Sequence, residues 1–182
     1  MSPLPVDLGS GVVLRRYEMP DLEALWHAIE EERERIAVWM PFVEGVRTIE
    51  DERTWLETVV ADEAGTGGGG LWSGSEFLGG VGLMLGPFGI AGEIGYWIGG
   101  DFEGRGIITR ACRRFFGFAF DELGLHRVEL CAADSNTKSR SVAERLGMRQ
   151  EGVLRGGVRT PEGFLDLVIY GILEDEWRAQ AR

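Results

Sequence analysis

A strand followed by a glycine turn and a helix is the pattern in this sequence that most restricts its possible folds. The stretch covers residues 92–111, and its turn contains Gly104 and Gly106. Glycine lacks a Cβ and therefore adopts the left-handed backbone conformations that tight turns require. The first turn of the following helix presents unpaired N–H groups and the positive end of the helix dipole. The stretch therefore predicts an anion-binding site at the start of this helix.

Two common phosphate-binding motifs fit this spacing poorly. A P-loop needs Lys and then Ser or Thr directly after its last glycine, whereas Ile107 and Ile108 follow Gly106. A dinucleotide-binding fingerprint needs a third glycine, and Thr109 stands in its place, although Glu129 lies about where the ribose-binding acid is expected. The chain around the unit is also too short for the doubly wound sheet to which this fingerprint belongs. Both motifs are therefore poor interpretations of the glycine turn.

The glycine turn resembles the pyrophosphate loop of the GNAT acetyltransferases. That loop follows the pattern Arg/Gln-x-x-Gly-x-Gly/Ala, which this sequence matches at Gly104 and Gly106 and departs from at Asp101. Two further segments are similar to the RimJ/RimL branch of the family. Residues 39–42 resemble its W-x-P-W element, and residues 136–148 resemble its Asn-x-x-Ser-x-x-Val...Leu-Gly-Phe helix. The three segments occur in the family's order, which makes their combination more specific than any one of them.

The resemblance covers nearly the whole chain and implies the α/β (α+β) GNAT fold, with helices flanking a mixed, mostly antiparallel twisted sheet. We expect one domain over residues 1–182, with its core at about 12–173, and an element order of β-α-α-β-β-β-α-β-α-β-β. The glycine-rich residues 65–70 predict a flexible connection. Strands are predicted at about residues 12–17, 71–73, 77–85, 93–98, 127–132, 150–158 and 164–172, and helices from residue 22, at about 49–61, and after residues 106 and 136.

Composition narrows the classes of partner. The formal net charge of −11 argues against a nucleic-acid backbone as partner and fits a cationic partner better, although acidic proteins are often acidic for solubility alone. The N-terminus has no signal-peptide pattern and no apolar run approaches a membrane span, so we expect a soluble, cytoplasmic protein without a membrane partner. Cys112 and Cys131 lack the spacing of a metal or redox site and are expected to be buried.

The resemblance implies acetyl-CoA as cosubstrate, without a metal, and it implies where the coenzyme binds. Its pyrophosphate would lie on the backbone N–H groups of residues 105–109, with the Arg105 side chain adding charge, and its pantetheine arm would follow the strand that precedes the turn. Asn136 would contact that arm while capping its helix, or would act as a cap alone. The implied coenzyme-binding residues are Tyr96, Trp97, Ile98, Gly104, Arg105, Gly106, Ile107, Ile108, Thr109, Asn136 and Ser139.

Acetyl transfer to an amine requires a neutral nitrogen, a polarised thioester carbonyl and a proton for the leaving thiolate. The resemblance implies that Ser139 supplies that proton. Glu93 and Glu129 lie in the strands expected to border the acetyl group, and one of them is the candidate general base. The alternatives are that Glu129 forms an ion pair with Arg127 and that Glu93 is an exposed charge at a strand end.

The resemblance implies an N-terminal α-amine of a protein as acceptor, with a ribosomal protein as one candidate. Such an amine has a pKa of roughly 7.7 to 8, so it needs a weaker base than a lysine near 10.4. A small amine acceptor and a non-catalytic acyl-CoA-binding module remain alternatives, and a homodimer is common in this branch. In the family, the two helices after the first strand lie over the acceptor; Trp39 and Phe42 between them and Trp55 in the second belong either to this site or to the core.

Overall fold

The computed structural model describes residues 4–62, 68–160 and 163–180. The predicted order of elements is confirmed, with one further strand at the start and one further helix at the end. The elements are β1 (Val6–Gly9), β2 (Val12–Arg15), α1 (Leu22–Ala37), α2 (Ile49–Val60), β3 (Gly69–Ser73), β4 (Glu76–Leu85), β5 (Ala91–Ile98), α3 (Ile107–Gly117), β6 (Arg127–Ala133), α4 (Thr137–Arg145), β7 (Arg149–Thr160), β8 (Gly163–Leu173) and α5 (Glu174–Gln180).

The strands form one eight-stranded sheet in the order β1-β2-β3-β4-β5-β6-β8-β7. Of the described strands, only β5 and β6, which α3 connects, pair in parallel, so the predicted mixed and mostly antiparallel sheet is confirmed. None of the described helices is both long and apolar enough to cross a membrane.

The prediction of a flexible connection at residues 65–70 is wrong at its end, where Gly69 and Gly70 belong to β3. Residues 65–67 lie outside the described part of the chain. A Cβ on Gly69 would come within 2.6 Å of the Arg15 carbonyl oxygen, and a Cβ on Gly70 within 2.4 Å of Trp72 Nε1. These two glycines therefore serve close packing within the sheet.

The pairing between β5 and β6 is short and leaves a cleft. Their register joins Ala91, Gly92 and Glu93 of β5 to residues 127–129 of β6 and ends there. No described strand pairs with residues 94–98 of β5 on this side, although they pair with β4 on the other; the Ile98 carbonyl oxygen accepts from the Arg35 side chain. The two strands therefore diverge, and β5 exposes a free backbone edge toward α4.

Two hydrophobic cores cover the two faces of the sheet. The larger core packs α3 against the sheet through residues such as Phe115, and it also receives Tyr96 and Ile98 of β5. The smaller core lies under α1 and α2, and Trp97 packs against it. Because successive strand side chains point to opposite faces, β5 separates a face covered by α3 from a face covered by α1 and α2.

Candidate active site

The glycine turn has the backbone conformation that the sequence predicts. Gly104 and Gly106 have φ angles of 72° and 71°, in the left-handed region that favours glycine. Gly106 is the N-cap of α3 and offers no side chain to the first turn of the helix. Among the described residues, no hydrogen-bond acceptor pairs with the backbone N–H groups of residues 104–109. The turn therefore directs a set of free N–H donors and the positive end of α3 outward.

Two arginines hold the shape of this turn. Arg105 donates to the Asp101 carbonyl oxygen at 2.7 Å, and its guanidinium lies 5.5 Å from the centre of the Phe102 ring. Arg110 donates to the Arg105 carbonyl oxygen at 3.0 Å. Asp101, where the sequence departs from the family pattern, is exposed and lends only its backbone oxygen to this contact.

Ser139 and Tyr96 meet across the cleft between α4 and β5. Their hydroxyl oxygens are 2.9 Å apart, and both side chains are partly buried. Burial raises the pKa of the Tyr96 phenol, so this hydroxyl stays protonated at neutral pH. Asn136 caps α4, since its Oδ1 accepts from the Ser139 backbone N–H at 3.1 Å. The capping function predicted for Asn136 is therefore confirmed.

The two candidate glutamates lie opposite each other in the register of β5 and β6 but have different surroundings. Glu129 forms an ion pair with Arg127 at 2.9 Å, as one of its alternatives predicted, and Arg127 also binds Glu151 at 2.6 Å. Burial and, to a smaller extent, the charge of Glu129 raise the pKa of Glu93, which accepts a hydrogen bond from the Cys131 thiol. Glu93 is therefore a stronger base than an ordinary carboxylate, whereas the Glu129 carboxylate is occupied by Arg127.

The structure does not gather all the predicted site residues on one side of β5. Tyr96 and Ile98 face α3 and α4, whereas Glu93 and Trp97 point to the opposite face. The free backbone edge of β5 lies between the two sets. A ligand along this edge would have the Ser139–Tyr96 pair on one side and Glu93 on the other.

Glu52 is a candidate functional residue that the sequence did not indicate. It lies in the first turn of α2 beside Glu50 and Asp51, where acidic residues ordinarily face solvent and favour the helix dipole. Its side chain is nevertheless 2% exposed, and burial raises its pKa to about 7. The one signal in the sequence is its spacing from Leu56, the buried residue one turn later on the same helix face.

The exposure of Trp39, Phe42 and Trp55 tests whether these aromatic residues belong to the core. Phe42 and Trp55 are 43% and 42% exposed, so core packing is wrong for these two. Trp55 packs edge-on against Tyr17, with ring centres 5.3 Å apart.

Both cysteines are free; Cys112 is buried as expected, whereas Cys131 is only partly buried. No group of three metal-ligating side chains occurs in the described ranges.

Comparisons with known proteins agree with this geometry. The family described as Acetyltransferase (GNAT) domain matches residues 12–149. The "Putative ribosomal N-acetyltransferase YdaF" of Bacillus subtilis (strain 168) is 38% identical over 177 residues, covering 93% of this chain and 94% of that protein.

Solved structures have the same architecture. A GNAT-family acetyltransferase from Bacillus anthracis superposes with a TM-score of 0.77 at 25% identity, covering 92% of this chain and 97% of the other. RimL, the ribosomal L7/L12 α-N-protein acetyltransferase in complex with coenzyme A, superposes with a TM-score of 0.85 at 18% identity, covering 94% and 99%. The RimL likeness concerns the fold.

Proposed function

The chain belongs to the GNAT acetyltransferase family, and from this premise we propose that it transfers the acetyl group of acetyl-CoA to the α-amine at the N-terminus of a protein. As a GNAT acetyltransferase it depends on acetyl-CoA. The observation that carries the proposal is the free edge of β5, which runs from Glu93 past the Ser139–Tyr96 pair to the free N–H groups of the glycine turn. A relative named as a ribosomal N-acetyltransferase supports a protein amine as acceptor.

The chain's own residues fit the coenzyme. The free N–H groups of residues 105–109 would bind the pyrophosphate, and the Arg105 guanidinium lies in the same turn. The Thr109 hydroxyl is buried and has no hydrogen-bond partner in the described part of the chain, so it can donate to a bound phosphate. The backbone of β5 at Tyr96, Trp97 and Ile98 would pair with the amides of the pantetheine arm; at Ile98 the N–H would do so, because the carbonyl oxygen accepts from Arg35.

Ser139 would protonate the departing thiolate. In the reaction, the amine nitrogen bonds to the carbonyl carbon, the carbon–sulfur bond breaks, and the sulfur takes a proton. The Ser139 hydroxyl shares a hydrogen bond with Tyr96, which orients it toward the cleft. Asn136 uses its oxygen for the cap, which leaves its amide nitrogen to donate to pantetheine.

Glu93 would accept the proton that the amine loses, directly or through a water. Burial makes its carboxylate more basic than usual, whereas the carboxylate of Glu129 is held by Arg127. An α-amine costs only about 1 kcal/mol to deprotonate at neutral pH, because its pKa is near 8. A carboxylate of raised pKa is therefore sufficient for this acceptor.

Calorimetric titration with acetyl-CoA, followed by free-thiol release with N-terminal peptides and small amines, tests the proposal. We expect binding together with thiol release that depends on peptides. Release with small amines alone would contradict the protein acceptor, and binding without release would indicate a non-catalytic acyl-CoA-binding module. Ser139→Ala should lower turnover while retaining coenzyme affinity. The matched control is Ser141→Ala in the same helix, which should retain both.

A further inference from the structure

The carboxyl group of Glu52 lies under α2 without a charged partner. Among the described residues it forms no hydrogen bond and no ion pair. Its two carboxyl oxygens are not fully enclosed by protein atoms. Arg53, the next residue in α2, pairs with Glu50 at 3.0 Å, and Arg15 is bound to Asp21 at 2.7 Å. A buried carboxylate without a partner is costly, and such groups are ordinarily paired or bind a ligand.

Aromatic rings extend from the vicinity of Glu52 to β5. Tyr17 is close enough to Glu52 for the carboxylate charge to contribute to raising the pKa of the phenol. Tyr17 contacts Trp55 and Phe77, with ring centres 5.3 and 6.3 Å apart, and Phe77 contacts Trp97 at 5.6 Å. Aromatic faces attract cations, most strongly where solvent is excluded. A carboxylate beside these rings is therefore suited to a positively charged group.

The face of β5 that carries Trp97 has room for a ligand between this cluster and Glu93. A Cβ on Gly95, midway between them, would meet only the Met84 methyl carbon, at 4.0 Å. Glu93 and Trp97 are four residues apart on one strand, which corresponds to about 13 Å. An extended peptide covers that distance with about four residues.

We propose that Glu52, with the rings of Tyr17, Trp55 and Trp97, binds a positively charged side chain of the acceptor while the acceptor's α-amine lies near Glu93. This inference rests on the proposed function and makes it more specific. The enzyme selects N-termini with a basic residue shortly after the first position. The binding of that residue supplies the missing partner for the Glu52 carboxylate and holds it ionised, although burial alone would leave it partly protonated at neutral pH.

Paired peptides that differ only in charge test this inference. The probes are alanine-initiated peptide amides with arginine at the second, third or fourth position, each matched to a peptide with citrulline, the neutral isostere of arginine, at that position. Binding to the protein in complex with coenzyme A is measured by calorimetry, and acetylation by thiol release. At one of these positions we expect about a tenfold preference for arginine in both measurements, which corresponds to one charge-assisted contact.

Glu52→Gln keeps the shape of the side chain and removes its charge, and it should reduce the preference for arginine to about twofold or less. Glu57→Gln removes the same charge from the exposed side of α2 and should retain the full preference. A preference that persists in Glu52→Gln, or no preference in the unmodified protein, would overturn the inference. Thiol release without a charge preference would leave the proposed function intact. Charge-dependent binding without any thiol release would support the binding site and contradict the proposed function.

Discussion

The two sides of β5 bind by different physical means. On the coenzyme side, the free donors are backbone N–H groups whose directions depend on Gly104, Gly106 and the start of α3. On the acceptor side, the proposed contacts are side chains from distant parts of the chain, Tyr17, Glu52 and Trp97. One site is determined by local backbone conformation and the other by tertiary packing. Changes on the two sides should therefore affect different measured quantities.

The two sides also differ in charge. The glycine turn presents the positive end of a helix dipole and Arg105, which suits an anionic pyrophosphate. The opposite face carries Glu52 and Glu93, neither of which forms an ion pair with a described residue. Glu129 on that face is balanced by Arg127. An anionic coenzyme and a cationic acceptor would therefore meet at β5 from opposite directions.

The largest expected effect is on turnover and separates the two glutamates. Glu93→Gln should lower kcat/KM for a peptide acceptor by about 100-fold, equivalent to about 2.7 kcal/mol, because the general base is lost. Glu129→Gln should lower it by less than about tenfold. In the unmodified enzyme, kcat/KM should fall as the pH decreases through the pKa of Glu93, which lies above that of an ordinary carboxyl group. Equal losses in both variants would contradict the assignment of Glu93 as base.

Glu52→Gln should change the dependence of stability on pH, with an effect of about 2 kcal/mol. The pKa of Glu52 is raised in the folded state to about 7. Because the pKa is higher in the folded state, the contribution of Glu52 to stability is fully present at pH values below its pKa in the unfolded chain, near 4.3. This contribution is lost as the pH rises through about 7. The variant should therefore be more stable than the unmodified protein at pH 8 and similar to it at pH 5.

Urea denaturation at pH 5 and pH 8 measures this difference. Glu57→Gln, with the same change on the exposed side of α2, is the control and should leave the pH dependence unaltered. Tyr17 and Asp21 are the other titratable groups near this site; burial raises the pKa of the Tyr17 phenol, which therefore keeps its proton between pH 5 and pH 8. A pH-independent difference between Glu52→Gln and the unmodified protein would show that the carboxyl group does not titrate in this range.

The coenzyme side is more predictable from the sequence than the acceptor side, and the reason is physical. A left-handed turn at Gly104 and Gly106 and a cap at Asn136 are short-range requirements, and each is visible in neighbouring residues. The ion pair of Glu129 with Arg127, two positions earlier on the same strand, was one of two alternatives, because a sequence does not show which nearby group a charged side chain contacts. The burial of Glu52 depends on how α2 packs near Tyr17, 35 positions earlier in the sequence.

The ends of the fold and the glycines of β3 illustrate the same limit. β1 has four residues and α5 has seven, which is too short for apolar periodicity to identify an element. Gly69 and Gly70 extend a glycine run that reads as a flexible segment, but their role depends on the approach of Arg15 and Trp72. Only the assembled sheet provides that information.

A substitution in the glycine turn should change coenzyme affinity by about tenfold. Gly106→Val places a β-branched residue in a left-handed backbone conformation, which costs about 1–2 kcal/mol. Relief of this strain by a change in the backbone angles would redirect the N–H groups of the following residues. The control is Gly124→Val, at a left-handed glycine where a Cβ likewise meets no backbone. Both variants should lose stability, but only Gly106→Val should weaken acetyl-CoA binding in calorimetry. Unchanged affinity would contradict the assignment of the turn as the pyrophosphate site.

The smallest expected effect concerns the charged side chains that connect the two sides. Lys138 of α4 pairs with Glu103, which directly precedes the glycine turn, and Glu103 also accepts from Arg35 of α1 at 2.9 Å. Lys138 is 77% exposed, so its pair is screened by solvent, and Lys138→Met should change the free energy of unfolding by less than about 0.5 kcal/mol. Arg35 is less exposed and also donates to the Ile98 carbonyl oxygen at the end of β5.

Arg35→Met should therefore cost about 1–2 kcal/mol, because it leaves the Ile98 carbonyl and Glu103 without their shared donor. Urea denaturation of the two variants compares them directly. If Lys138→Met were as destabilising as Arg35→Met, the α4 contact would be part of the rigid frame, and the coenzyme and acceptor sides would be coupled through it. If only Arg35→Met is destabilising, the frame that holds the end of β5 comes from α1, and α4 is free to adjust to the coenzyme.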